Sequence, residues 1–185
     1  NVLMGWPVRL DLASLQEKLV RRGRGGYCFE HNLLLGHVLA TLGFTVHGLA
    51  ARVIWMQSPG TAAARTHMVL LTTLNQTRYL VDVGFGGITL TCPLLLDIDI
   101  PQTTSHENFR IRQDTQEYTL SVLLNGVWQD MYRFDLSHQQ HPDYEMANWF
   151  VAAHPQSRFV NNLIAARVDI DGRHALQNLQ YTRHY

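Results

Sequence analysis

Cysteine is scarce in this sequence: Cys28 and Cys92 are the only two. Two thiols do not make the disulfide framework that holds small secreted domains together, so the simpler expectation is a reducing, cytoplasmic setting. Excess charge of either sign is also missing. Lys+Arg and Asp+Glu are 15 each, for a formal net charge of zero. Nothing here makes a basic stripe for nucleic acid or an acidic disordered tail. Long hydrophobic runs are absent as well, and a stretch such as CPLLL is far too short to cross a bilayer. The opening NVLMGWPVRL has no charged leader followed by an apolar core, so no signal peptide is expected. Metal-ligand spacing is lacking too: there are ten histidines, but none forms an HExxH or CxxC-type set. His138 and His141, in SHQQHPDY, are predicted on a turn with no carboxylate or thiolate beside them, so no metal is expected there.

What is present is enough apolar material for a core. The chain has 185 residues, 46% of them hydrophobic, which suits one or two small soluble domains. VRLDLASLQEKLVRR predicts a helix of roughly four turns, with Asp11 or Ser14 as its cap and Leu12, Leu15 and Leu19 at helical spacing. GRGG breaks it. CFEHNLLLGHVLATL predicts a second helix from Cys28 that ends at Gly43. The period then changes. TVHGLAARVIWM, THMVLLTTL and TRYLVDVGF predict strands, with QSPGTAAAR as a loop. NFRIRQ, YTLSVLL and VWQDMYRF predict a meander with a turn at Asn125-Gly126. PDYEMANWFVAA and FVNNLIAAR predict helix, and RVDIDGRHALQNLQYTRHY a hairpin turning at Asp171-Gly172. Helices followed by strands and then mixed structure point to an α+β fold rather than a parallel doubly wound sheet.

The chemistry centres on RGRGGYCFEHN. Cys28 is either a buried structural cysteine or an activated nucleophile. At a helix N-terminus the dipole favours a thiolate by about 0.3–1 kcal/mol. A free thiol, with a pKa of about 8.5, is only a few per cent thiolate at neutral pH, and pairing with an imidazolium changes this far more than the dipole does. His67, in ARTHMVLL where a loop enters a strand, is the chosen partner. The plainer alternative is a core-edge histidine bonded to a backbone carbonyl. Asp82, in YLVDVGFGG, is expected in a strand between two valines, where a carboxylate needs a strong donor. An imidazole Nδ1–H would satisfy it and point Nε2 at the thiol. Hairpin pairing would bring Asp82 to His67, and a salt bridge with Arg52 is the alternative. The GFGG run at 84–87 allows close backbone approach or a sharp turn. It is no GxGxxG in a βαβ context, so a dinucleotide site is not supported.

Taken together, RRGRGGYCFEHN, RTHMVLL and VDVGFGG, in that order and spacing, resemble the arylamine N-acetyltransferases. MYRFDL and HPQSRF are similar to that family too. The resemblance spans nearly the whole chain. It implies a Cys28–His67–Asp82 triad with a cysteine-protease-like core, and transfer of an acetyl group from acetyl-CoA through Cys28 to an arylamine, arylhydroxylamine or hydrazine, in xenobiotic metabolism. It also implies a helical first domain (residues 1–44, incomplete at its start), a β-barrel second domain (45–145) and the beginning of an α/β third domain (146–185). Phe29, Val53 and Phe85 match acceptor-pocket positions, although ordinary core roles would account for them as well. Thr66, Gly86, Gly87 and Trp55 match the coenzyme side, with Trp55 at the rim of the cleft. Arg24 matches a structural arginine that pairs with an acid. The implied partners are small molecules, with no nucleic acid and no membrane, and homo-oligomerisation is left open.

Compared with that family, the sequence begins inside the first domain, without its opening helices and Pro-Phe-Glu-Asn segment, and ends early in the third. The expectation is therefore either an ordered portion of a longer chain or a truncated product, inactive in the latter case. The same triad logic also serves transglutaminase-like amidases and papain-like proteases. In the papain type the histidine follows the cysteine by about 130–150 residues, whereas here it follows by 39.

Overall fold

The structure is a computed structural model, and it describes residues 1–58 and 60–184. Parts of the expected 57–65 loop and of the terminal hairpin, at Pro59 and Tyr185, lie outside the described residues. After a short 3-10 turn at Val2–Met4, helix α1 covers Leu12–Leu15 and runs on as a π-helical segment, Gln16–Arg21. Its start follows from Asp11, whose carboxylate accepts from the Ser14 amide at 2.9 Å, so Asp11 is the cap. The expected start at Val8 is too early because Asp11 holds extended backbone. Helix α2, Cys28–Thr41, begins at the thiol as predicted.

Eleven strands follow among the described residues: β1 Thr45–Val53, β2 Arg65–Leu74, β3 Thr77–Val81, β4 Leu94–Leu95, β5 Gln102–Thr103, β6 Asn108–Asp114, β7 Glu117–Leu124, β8 Val127–Phe134, β9 Ile164–Asp169, β10 Gly172–Gln177 and β11 Gln180–His184. Helices α3 (His141–Ala153) and α4 (Arg158–Asn161) lie between β8 and β9. The first eight strands form one antiparallel sheet in the order β4-β3-β2-β1-β8-β7-β6-β5, curled towards a barrel. Its two edges meet through a side chain. The Gln102 amide accepts from Leu95 N–H at 2.7 Å and donates to Leu95 C=O at 2.8 Å, standing in for a strand partner. The fold is α+β, as the element order implied.

Strand β2 is buried along most of its length because its two faces serve two cores. Val69 and Leu71 point into the barrel with Leu49, Leu80, Phe109, Leu120 and Met131. Met68 and Leu70 point the other way, to Phe29, Val81, Tyr144 and Val151 under the helices. Residues with period-two alternation thus seal a barrel on one side and a helical layer on the other.

Several expectations change. Asp82 is not in a strand, since β3 ends at Val81. Strand β1 stops at Val53, and Trp55 and Met56 form a turn. His141 opens α3 instead of lying on a turn, because the Gln140 N–H is held by the Asp143 carboxylate at 2.7 Å. Of the expected helix FVNNLIAAR, only Arg158–Asn161 is helical, and Ile164 begins β9. Residues 164–169 pair with β10, and this tertiary pairing overrides the helical preference of Ala165, Ala166 and Arg167. The terminal hairpin is a three-stranded meander whose first turn is Ile170-Asp171, between the paired Asp169 and Gly172. The boundary expected at residue 145 falls inside α3, whose Tyr144 is anchored to Leu49 C=O at 3.3 Å.

Candidate active site

Cys28, His67 and Asp82 converge where the two cores meet, at 7%, 4% and 1% exposure. Each arrives on a different element. Cys28 is the first residue of α2. Glu30 orients that helix start by accepting from Tyr27 N–H at 3.2 Å and pairing with Lys18 of the π-helical segment. His67 lies on β2, and Asp82 immediately follows β3. Leu70 pairs with Val81 in that hairpin. Extending the register one residue sets Asp82 beside Val69 and diagonal to His67, within side-chain reach.

The contact is made by Nε2: His67 Nε2 and Asp82 Oδ2 are 2.7 Å apart. This corrects the expected arrangement. Nε2 is occupied by the carboxylate, so Nδ1 is the nitrogen left for the thiol. Burial alone would lower the imidazole pKa, but the Asp82 charge and hydrogen bond, and after them Cys28, raise it to about 10. Burial pushes the Asp82 carboxyl up, yet His67, Asn32 and the Gly84 amide outweigh it and hold Asp82 below the ordinary carboxylate range. The geometry favours an imidazolium beside the cysteine at neutral pH. Cys28 Sγ also approaches Thr66 C=O, at 3.8 Å. Arg52 instead donates to Ala63 C=O at 2.6 Å, so the alternative Asp82 partner is otherwise engaged.

Two residues that sequence reasoning missed complete the site. Asn32, fully buried, donates to Met68 C=O at 2.7 Å and to Asp82 Oδ1 at 3.0 Å, and accepts from Val83 N–H at 3.1 Å. The signal was there: Asn32 stands four residues after Cys28, hence on the same helix face. Tyr132, on β8, packs its ring on His67 and Phe85 with centroids 5.0 and 5.5 Å away. Its buried hydroxyl has no hydrogen-bond partner among the described residues. Burial, then the nearby Asp82 charge, pushes that phenol well above the usual tyrosine range. It feels the carboxylate without meeting it at hydrogen-bonding geometry. Nothing in the local sequence marks Tyr132, which arrives from a remote strand.

Phe85 stands edge-on to His67 at 5.4 Å, half-buried. Phe29 is different: it is 1% exposed, between Tyr27 and Tyr144 in the core under the helices. Val53 pairs with Tyr132 across the β1–β8 seam, and Trp55 packs on the barrel core. Gly84 explains part of the GFGG run. A Cβ there would lie 2.4 Å from Cys28 Cα, so the close backbone approach is to the cysteine itself. Gly86 turns the chain at φ +96°, and Gly87 has open space around it. Arg24 donates to Asn1 Oδ1 at 2.8 Å and lies over the Trp6 ring. His138 stacks on His47 at 3.8 Å, while His141 faces Glu145. Among the described residues no group of three or more His, Cys, Asp or Glu forms a metal set. Cys92 is exposed and free. No helix among the described residues is long and apolar enough to cross a membrane.

A family model described as N-acetyltransferase matches residues 1–185. The chain is 43% identical to an arylamine N-acetyltransferase of Mycolicibacterium smegmatis, over 98% of this chain and 68% of that protein. It is also 43% identical to one of Escherichia coli (strain K12), over 100% and 66%. A Salmonella typhimurium relative, arylamine N-acetyltransferase / N-hydroxyarylamine O-acetyltransferase, is 40% identical over 100% and 66%. Among solved structures, the Mycobacterium marinum arylamine N-acetyltransferase in complex with CoA superposes with a TM-score of 0.95 at 43% identity, covering 99% of this chain and 69% of that one. The chain thus spans about two thirds of the length of these relatives.

Proposed function

The chain belongs to the arylamine N-acetyltransferase family, and from that premise and the geometry of the cleft we propose that it is an acyltransferase. It would move an acetyl group from acetyl-CoA through Cys28 to the nitrogen of an arylamine or hydrazine, or to the oxygen of an arylhydroxylamine. The observation that carries the reading is the His67–Asp82 contact, which leaves the other ring nitrogen of a protonated imidazole for the buried thiol of Cys28.

In the first half-reaction the Cys28 thiolate attacks the thioester carbonyl. The carbon–sulfur bond to coenzyme A then breaks, and the leaving thiolate takes its proton from the His67 imidazolium. In the second, the amine attacks the acetyl-Cys28 carbonyl, neutral His67 takes the amine proton, and the Cys28 sulfur leaves as thiolate. Asp82 stays ionised throughout, fixing the ring and stabilising its charged form. The scheme uses no metal.

Phe85 offers the acceptor an aromatic ring beside His67, and Val53 and Phe29 are assigned to the same acceptor side, with Phe29 buried behind it. Thr66, Gly86, Gly87 and Trp55 are assigned to the coenzyme side. Open space at Gly86 and Gly87 supports this. Residues 1–44 would supply the nucleophile, 45–145 the histidine and aspartate, and 146–185 the start of a covering domain. Two unpaired cysteines suit a cytoplasmic enzyme, and the proposed role is metabolism of foreign amines.

The test is intact mass after incubation with acetyl-CoA alone. One acetyl adduct on Cys28, discharged by added arylamine, is expected, together with parallel double-reciprocal lines when both substrates are varied. Intersecting lines without any trapped adduct would replace the covalent route with direct transfer.

A further inference from the structure

Arg173 is 3% exposed, although it sits on β10, in the small sheet farthest along the chain from the triad. Its guanidinium makes four hydrogen bonds. Nε and Nη2 meet Glu107 Oε1 and Oε2, each at 2.6 Å; Nη1 donates to Gly87 C=O at 3.3 Å; Nη2 also donates to Thr89 C=O at 2.9 Å. Glu107 is held in a turn in which Thr104 N–H donates to Glu107 C=O at 3.0 Å. A second tie runs between His106 Nε2 and Asp169 C=O, 2.8 Å apart.

The loop that Arg173 grips is the one that carries the cleft. Its near end is Asp82, and Thr89 Oγ1 donates back to Asp82 C=O at 3.1 Å. Between these ends lie Gly84, against the Cys28 backbone, and Phe85, against His67. Gly86 C=O accepts from Thr89 N–H at 3.2 Å. One buried fork-shaped cation thus spans the carbonyls of Gly87 and Thr89 and ties both to Glu107. A lysine, with a single point of donation, cannot hold both carbonyls and both carboxylate oxygens. A buried ion pair of this kind contributes little net stability compared with an apolar replacement, and its clearer effect is to specify one arrangement.

We propose that Arg173 is a positioning residue for the coenzyme side of the cleft. By clamping Gly87 and Thr89 to Glu107, it lets the small sheet set the loop that receives the coenzyme's thioester arm. This rests on the acetyl-transfer reading above. The triad does not need the clamp, because Asp82, Asn32 and His67 bond to one another without it.

The test compares two acyl donors in forming the Cys28 adduct. S-ethyl thioacetate has the same thioester chemistry as acetyl-CoA but no coenzyme arm. In Arg173→Lys, acylation by acetyl-CoA should fall by about tenfold or more, as for a misplaced binding group, through a higher half-saturating concentration. Acylation by S-ethyl thioacetate should stay within about twofold, because the triad is untouched. Glu107→Gln, which keeps Arg173 but weakens its anchor, should move the donor ratio the same way by less. An equal loss with both donors, or loss of a cooperative melt at 25 °C in both variants, would make Arg173 a structural staple and overturn the proposal. An unchanged donor ratio would overturn it too. If the unaltered protein gives no adduct with either donor, the acetyl-transfer reading itself fails, an outcome distinct from failure of the clamp alone.

Discussion

Asn32 donates its side-chain amide to Asp82 Oδ1 at 3.0 Å, on the carboxylate oxygen that His67 leaves free. The helix that supplies the thiol is thereby bonded directly to the acid that holds the imidazole. Asn32→Leu keeps the bulk but orphans Met68 C=O and Val83 N–H and removes a donor from Asp82. With unsatisfied buried groups costing about 1–3 kcal/mol each, urea unfolding should show a loss of at least ~2 kcal/mol, and Cys28 acetylation should slow. A loss under ~0.5 kcal/mol would mean that water replaces the amide.

The two cysteines should separate cleanly. Cys28→Ser should abolish transfer, since a hydroxyl is a much weaker nucleophile at neutral pH. Cys92→Ser should be silent, because Cys92 is exposed and has no imidazole or carboxylate bonded to it among the described residues. Steady-state rates for the two variants decide this, and equal damage would remove Cys28 from its role.

Asp82→Asn should preserve the fold but cost on the order of 10³–10⁴ in Cys28 acetylation, if loss of ring orientation acts as in hydrolytic triads. His67→Gln should shift the pH profile of iodoacetamide alkylation at Cys28 to higher pH. An alkylation profile indifferent to His67 would mean that another group activates the thiol.

The same pair predicts a pH dependence of stability. His67 has a folded pKa of about 10, above its ordinary 6.5. Its contribution is therefore complete below about 6.5 and is lost as pH rises towards about 10. Asp82 is shifted down, so its contribution is present above the ordinary carboxylate range and lost in acid. The melting temperature of the protein should decline between pH 7 and 10 more steeply than that of Asp82→Asn, in which the imidazole loses its partner. Matching slopes would show that the ion pair does not set this dependence.

Gly84→Ala and Gly87→Ala form a contrast within one motif. A Cβ at Gly84 would meet Cys28 Cα at 2.4 Å, a backbone atom that cannot swing aside, whereas none of the surrounding atoms lies within 4 Å at Gly87. Thermal melts should show Gly84→Ala destabilised by about 1–3 kcal/mol and Gly87→Ala within about 0.5 kcal/mol. Similar melting temperatures for the two would mean that α2 yields to the added methyl.

Much of this was legible locally. The change from helical period to alternation near Thr45, the start of α2 at Cys28, and the Asn125-Gly126 turn with its positive φ values of 51° and 77° follow from short-range sterics and hydrophobic spacing. So did the meeting of His67 and Asp82, since adjacent strands joined by a short turn have little choice of register. The family motif singled out the three residues that converge in the cleft. What the linear order did not contain was decided by packing between distant segments. Which imidazole nitrogen meets Asp82 depends on where α2 sits relative to β2. Tyr132 reaches the site from a strand 50 residues beyond Asp82. Ile164 pairs as a strand because β10 lies beside it. Gln102 completes the barrel, and Arg173 grips the cleft loop across 86 residues to Gly87. Periodicity is a property of neighbours in the chain. A buried amide, phenol or guanidinium finds its partner only when the whole fold excludes water from both, and that condition exists only in the tertiary structure.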